Sequence, residues 1–599
     1  MCGIAGVLSK NPTGAIKLNQ AISAMQKTLQ YRGPDDQGTY ISQDQQIALA
    51  HTRLSILDLS TAGHQPMSTP DGRYWITFNG EIYNFQALRS QLQCEGIPFH
   101  SNTDTEVILR LYERDGIDCL KHLRGMFAFA IWDNWEKTAF LARDPLGIKP
   151  LYYWQSGTTL VFASELRTVL ASGLPSKKLS PTGLYGYLTT GSVPEPHTLI
   201  DQIYLLQAGY SLQWQAGETQ QHRYWNIDFH SKIIDLEDAI TLTRSALLDS
   251  VKHHLISDVP VGIFLSGGID STAMVALARQ TQTDPLHTYS IAFEETQWNE
   301  GDLARQIARQ FGTNHSEYVV TAAIGQSLLP QFLAAIDQPS IDGFNTFCVS
   351  KLAYDAGTKV VLSGLGGDEI FGGYTSFAAV PQMVRLGQRI KALHPIPCTL
   401  GRVLEQWSAS PKWRRLGDFL QAPPTPSAAY QRFRGIFSHR EAQEILSYYC
   451  PESVSLHQSY QLFSEQHFDS IQDEISWLEL SRYMRNQLLR DSDVMSMRWG
   501  LELRVPFVDR QLLEKIAQIP SSLRLQSGKQ LLIQAVPEVP EWIFNRPKRG
   551  FAFPYEQWMT HEWKDYVQDT PVPDTIQLSP WYRRWSLVIL HHWLQQLTA

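Results

Sequence analysis

The stretch VPVGIFLSGGIDSTAMVALARQ, residues 259–280, decides the fold of the larger part of this chain. VPVGIFL reads as a buried strand, Ser-Gly-Gly as a tight turn, and DSTAMVALARQ as a helix opening at Asp270 and Ser271. Glycines let a backbone approach a ligand closely, and a helix start adds inward N–H groups and partial positive charge. The segment therefore predicts an anion cradle. The GxxxxGK[ST] spacing is absent, so it is a different kind of phosphate loop. An acid inside such a cradle repels phosphate unless a cation intervenes, and Asp270 points to Mg2+. A second glycine-rich turn closes the strand in TKVVLSGLGGDEIFGGY (358–374), and its Asp368 is a candidate for the same ion.

Outward from this segment the chain alternates strand and helix. LHTYSIAF (286–293) reads as a strand, DLARQIARQFG (302–312) as a helix and TKVVLSG (358–364) as a strand. Such alternation predicts a parallel sheet covered by helices, with ligands at the carboxyl ends of its strands. Residues from about 380 onward read as helical, rich in tryptophan and arginine. Upstream, residues 1 to about 210 carry short apolar runs such as CGIAGVLS, QIALAHTRLSI, YWITFNGEIYNF and MFAFAIWD, separated by turn signals. Two helical periods interrupt them, AIKLNQAISAMQKTLQ (15–30) and DTEVILRLYERDG (104–116). The polar stretch at 214–232 has no helical period and reads as a boundary, which gives domains at 2–215 and 235–599.

The bulk properties narrow the function classes. A chain of 599 residues is too long for one hydrophobic core. A net charge of -8 argues against nucleic acid and anionic membrane as partners, and no apolar run reaches the ~20 residues of a bilayer span. The six cysteines are scattered without a CxxC pair, as expected for reduced thiols in the cytoplasm without a structural metal. His253-His254 reads as a helix surface pair, and the 17 tryptophans as core and interdomain packing.

The chain start, MCGIAGVLSK, raises a second site. Removal of Met1 would leave Cys2 with a free amine beside its own thiol. Their ordinary pKa values lie near 8 and 8.5, so the amine can take the thiol proton at neutral pH without a histidine. His51 and His64 are thus not required. Arg53, in HTRLSI, can clamp a carboxylate in two parallel hydrogen bonds. In FNGEIYN, Asn79 and the Gly80 N–H suit an oxyanion hole, while Glu81 and Asp104 suit an ammonium group. Together they describe a pocket for glutamine, a free amino acid with a cleavable side-chain amide.

The motifs CGIAG, YRGPDDQG, HTRLSILD, FNGEIYNF and RDPLGIKPLYY resemble the class II glutamine amidotransferase domain of the N-terminal nucleophile family. That resemblance implies a four-layer αββα sandwich, attack by Cys2, an oxyanion hole at Asn79 and Gly80, and glutamine held by Arg53, Glu81 and Asp104. SGGIDST, LSG…GGDEIFGGY, LELRVPFVD and RPKRGFAFP resemble the α/β ATP-pyrophosphatase domain of asparagine synthetases, with a helical C-terminal part. It implies an ATP site of Leu265, Ser266, Gly267, Gly268, Asp270, Ser271, Ile291, Ser363, Gly364 and Lys548. Leu265 and Ile291 flank the adenine, Lys548 neutralises pyrophosphate, and Asp270 with Asp368 binds Mg2+.

Two positions depart from the family pattern. The motif usually reads SGEGADE, whereas this chain has Leu365 in place of the glutamate. Asp342 occupies a segment where synthetases tend to carry an arginine for the substrate α-carboxylate, and an aspartate repels that group by ~1 kcal/mol at 4 Å even in bulk water. The first reading is a glutamine-dependent asparagine synthetase with ATP and Mg2+. The alternative is the same chemistry on another carboxylate, such as a peptide, sugar acid or secondary metabolite, and the third reading is a degenerate sensor. Partners expected are small molecules, with a homodimer left open.

Overall fold

The computed structural model describes residues 2–598 except 11–14, 231, 233–234, 284, 296–298, 392–395, 409, 452–465, 546–552 and 569. Two six-stranded antiparallel sheets form the amino-terminal part. In the first, the strand Gly3–Ser9 lies centrally, paired with Ile47–Arg53 on one side and Thr159–Ala163 on the other. In the second, Tyr74–Ile82 pairs with Gly125–Asp133. The two sheets face each other across Ile4, Leu8, Leu49, Ala128, Trp132 and Phe162, all buried. Helix Ala15–Leu29 covers the first sheet, while Phe85–Cys94 and Asp104–Asp115 cover the second. This is the four-layer sandwich, built because the central strands of both sheets are buried on both faces.

The carboxy-terminal part holds a five-stranded parallel sheet in the order Asn314–Val319, His287–Ala292, Val261–Phe264, Val360–Leu362, Glu502–Arg504. The chain moves outward from Val261–Phe264 in one direction and then returns to lay Val360–Leu362 on its other side. Both glycine-rich loops therefore leave adjacent strands at the switch point of the sheet. The remainder is helical. Glycine sets how close the two loops come: a Cβ on Gly367 would lie 2.3 Å from Asp270 Oδ1, and one on Gly364 3.0 Å from the Ser271 amide.

Three features differ from the sequence reading. His254 is fully buried against Tyr83 (ring centroids 4.0 Å apart) and burial pushes its pKa down to about 3, so the His253-His254 pair is not a surface pair. The polar stretch at 214–232 contains the edge strand Glu218–Arg223, paired with Tyr210–Gln215. Its exposed side chains hide the strand pattern. Glu502–Arg504, inside a region read as helical, is the fifth strand of the sheet.

Buried ion pairs join the two parts. Arg32 is fully buried; its Nη1 meets Glu165 Oε1 at 3.0 Å and its Nη2 meets Asp493 Oδ2 at 2.8 Å. Lys149 Nζ shares Asp493 at 3.3 Å. Removing one member of a buried pair leaves the others uncompensated. Arg32→Met is therefore expected to destabilise the chain by about 3–5 kcal/mol, read as a lower denaturation midpoint. An unchanged midpoint would show that these charges are solvated.

Candidate active sites

Cys2 is buried at the entrance to strand Gly3–Ser9, and its N–H donates to Asn79 Oδ1 at 2.9 Å. Its carbonyl accepts from Arg32 Nε at 3.1 Å. Burial raises the thiol pKa, while Arg53 and a hydrogen bond from the Leu54 amide oppose that rise. Asn79 turns its other end inward: its Nδ2 is buried and has no hydrogen-bond partner among the described residues. Gly80 follows at φ +151, and a Cβ there would sit 2.0 Å from the Met126 carbonyl oxygen. An unpartnered amide next to a backbone that tolerates no side chain is the geometry of an oxyanion cradle.

Arg53 ends the neighbouring strand and is held by backbone carbonyls. Nη1 donates to Ser60 O at 3.0 Å, and Nη2 to Leu57 O at 3.1 Å and Asp58 O at 2.6 Å. Asp104 opens its helix, and its Oδ2 accepts from the Ile82 amide at 2.8 Å. Burial lifts its pKa to about 6. Glu81 is pushed well above the usual carboxylate range by burial and by Glu502 and Asp104, while Arg504 opposes this from 3.6 Å. Cys2, Arg53, Asn79, Gly80, Glu81 and Asp104 thus come from four segments to one buried region facing Glu502 and Arg504. Sequence reasoning missed that last pair, because neither carries a motif-level signal for the glutamine side.

In the second site, Ser271 Oγ accepts from the Ser266 amide at 3.1 Å, and Gly268 precedes the helix Ile269–Thr281. Leu265 and Ile291 are buried at the carboxyl ends of adjacent strands. Ser363 and Gly364 start the second loop, where the Ser363 amide donates to Arg504 O at 2.8 Å. Asp270 and Asp368 converge on one cation, Lys529: Asp270 Oδ2 lies 2.5 Å from its Nζ, and Asp368 Oδ1 also contacts it. Two carboxylates aimed at one point form a hard oxygen pair that fits a divalent ion completed by phosphate and water. Lys529 was not foreseen; it lies alone in SGKQ, and its left-handed backbone (φ +58) brings it there. Lys548 lies outside the described residues.

Leu365 is half-buried, its amide donating to Ser363 Oγ at 3.4 Å. Asp342 accepts from the Gly343 amide at 2.8 Å, and burial raises its pKa. Asp491 is pushed to about 7 by burial, with Asp342 adding to the rise. Glu369, next to Asp368, is pushed to about 8 by burial and by Asp368, and accepts from Tyr374 OH at 2.9 Å.

The glutamine amidotransferase domain family matches residues 1–225, and the asparagine synthase family matches residues 242–588. The glutamine-hydrolysing asparagine synthetase 1 of Bacillus subtilis is 33% identical over 580 residues, covering 95% of this chain and 89% of its own. The chain belongs to the glutamine-hydrolysing asparagine synthetase family. Asparagine synthetase B of Escherichia coli is 30% identical across 90% of this chain and 96% of its own. A protein named amidase chry2, from Gibberella zeae, is 28% identical across 93% of this chain and 90% of its own. The family is one of ligases.

Gly80→Ala should abolish glutamine hydrolysis, because the new methyl group meets Met126 O and displaces the strand next to Asn79. A variant with near-normal hydrolysis would show that this backbone gives way.

Proposed function

We propose that this protein is a glutamine-dependent amide ligase. Cys2, exposed by loss of Met1, attacks the side-chain amide carbon of glutamine, and its own amine takes the thiol proton. Asn79 Nδ2 and the Gly80 N–H hold the oxyanion as ammonia leaves, and water then hydrolyses the thioester to glutamate. Arg53 holds the glutamine carboxylate, and Asp104 with Glu81 its ammonium. The unpartnered, buried Asn79 amide is the observation that supports this reading most strongly.

In the carboxy-terminal part, residues 266–271 and 363–364 bind ATP, with Leu265 and Ile291 at the adenine and Lys548 toward the pyrophosphate. Asp270 and Asp368 would hold Mg2+, which would offset phosphate charge; their convergence on Lys529 supports that placement. The acceptor carboxylate attacks the α-phosphorus and expels pyrophosphate, and ammonia then displaces AMP to form the amide. Domains at 2–215 and 235–599 house the two half-reactions, and six free cysteines support a cytoplasmic setting.

Aspartate is the first acceptor on the names that the relatives carry. Another carboxylate, such as a peptide, sugar acid or secondary metabolite, is the other reading, favoured by Asp342 beside Asp491 and by Leu365 where an acid would serve aspartate. Pyrophosphate release measured with aspartate and with amino, hydroxy and peptide acids separates the two.

Cys2→Ala should lose glutamine-dependent product and keep ammonia-dependent product; persistence of both would overturn the nucleophile. Asp270→Asn should lose both. Cys2→Ala also allows glutamine binding to be measured without turnover. Asp104 and Glu81 must be ionised to hold an ammonium, and burial raises the pKa of both, so affinity should fall as pH drops to and below about 6, and Asp104→Asn should weaken that dependence. A flat profile in Cys2→Ala itself would remove Asp104 from the pocket.

A further inference from the structure

The direction of the Arg53 guanidinium is set by the loop that follows its strand. It donates to the backbone oxygens of Leu57, Asp58 and Ser60. The tightest of these bonds, at 2.6 Å, runs to Asp58, a non-glycine residue at φ +53. L-residues take that left-handed conformation rarely, and it persists where the surroundings fix it. The Asp58 carboxylate contributes from within the first part of the chain, accepting from Ser60 Oγ at 2.5 Å and from the Asn102 amide at 2.7 Å.

The rest of the support comes from the carboxy-terminal part. The segment between helix Leu236–His254 and strand Val261–Phe264 lies beside the loop. In it, Asp258 Oδ2 accepts from the Asp58 amide at 2.8 Å, and the Asp258 amide donates to Ile56 O at 3.1 Å. Leu54 and Ile56 share one buried apolar cluster with Val360, against which Val259 and Val261 pack. Lys359 pairs with Asp35 Oδ2 at 2.8 Å, and the same oxygen accepts from the Ser55 amide at 2.7 Å. Val261 and Val360 begin the two strands whose far ends lead into the glycine-rich loops. The segment is itself held: Arg504 Nη1 donates to His254 O and Ile256 O, both at 2.7 Å. Of all these contacts, Asp258 stands nearest to Arg53 in the chain of bonds. Its carboxylate takes the N–H of the residue whose carbonyl takes the guanidinium, and a bond to a charged acceptor is stronger than one between neutral groups.

We propose that Asp258 is a positioning residue of the glutamine site: from across the seam it holds Asp58 in its left-handed turn, and so aims Arg53 at the glutamine carboxylate. This role rests on that of Arg53 as the carboxylate clamp. The clamp is then complete only when the two parts of the chain are docked, because one of its supports belongs to the segment that leads into the strand Val261–Phe264.

The test is steady-state glutamine hydrolysis by the full-length protein. Asp258 is exposed, so Asp258→Ala removes an acceptor without opening a cavity in the core. It is expected to raise the glutamine KM roughly fivefold to tenfold, the effect of one lost hydrogen bond, while kcat and ammonia-dependent product are kept. A raised KM at constant kcat marks lost binding away from the reacting amide. Asp258→Asn, whose side-chain oxygen still accepts from the Asp58 amide, should stay close to the wild type. Because Asp258 acts through Arg53, adding Asp258→Ala to Arg53→Ala should raise KM no further than Arg53→Ala alone. An unchanged KM in Asp258→Ala, an additive effect in the double variant, or Asp258→Asn as impaired as Asp258→Ala would each overturn the proposal. An unchanged KM in Arg53→Ala would instead remove the clamp itself, and the role of Asp258 with it.

Discussion

The guanidinium of Arg32 is the contact on which the arrangement of the molecule turns. It donates to the carbonyl of Cys2, to Glu165 in the same sandwich and to Asp493 in the carboxy-terminal part, all without exposure to water. A fork of five donors fixed in a plane can satisfy three partners in different directions, which a lysine ammonium on a flexible stem does less well. Because one partner is Cys2 and another belongs to the helix Arg490–Met497, the position of Cys2 depends on how the carboxy-terminal part packs. Lys149 supplies a second cation to Asp493, whose carboxyl stays below its usual range despite burial. The seam is thus held by charges that are costly to separate.

Arg504 repeats the theme at the other side of the buried region around Cys2. Its side chain lies 3.6 Å from Glu81 and bonds Glu502, and its backbone oxygen accepts from the Ser363 amide at the start of the second glycine-rich loop. One residue therefore touches an acid of the first site and the backbone of the second. Its place on the short strand Glu502–Arg504 makes this possible, since that strand completes the parallel sheet beside Val360–Leu362. Displacement of the strand would disturb both pockets together.

What the sequence revealed and what it hid follow from physical causes. Val261–Phe264 and its helix were legible because a buried parallel strand is continuously apolar and a glycine turn marks its end. Cys2, Arg53, Asn79 and Gly80 were legible as residue types whose chemistry converges. Asn314–Val319 reads NHSEYV and sits at a sheet edge with polar side chains, so its periodicity is weak. Glu502–Arg504 is three residues long, below the length at which alternation can be counted. His254 belongs to the buried face of an amphipathic helix, and adjacency to His253 says nothing about which of the two points inward. Lys529 acts across more than 150 residues of chain, and distance in sequence carries no trace of it.

The glycine pattern of SGLGGDE separates two kinds of constraint. Gly364 and Gly367 are required because their Cα atoms pack against Asp270 and Ser271, and Gly366 because its φ is +100 with Val508 and Phe507 close by. These positions belong to the interlock of the two loops and are unavailable for variation. Leu365 lies between them, half-buried, its side chain packed against the hydrophobic core of the parallel-sheet part and its amide donating to Ser363 Oγ. The Asp342 carboxyl accepts from the neighbouring Gly343 amide and from the Gln487 side chain. Both departures from the family pattern, at 365 and 342, thus fall outside the glycines that the interlock of the two loops requires.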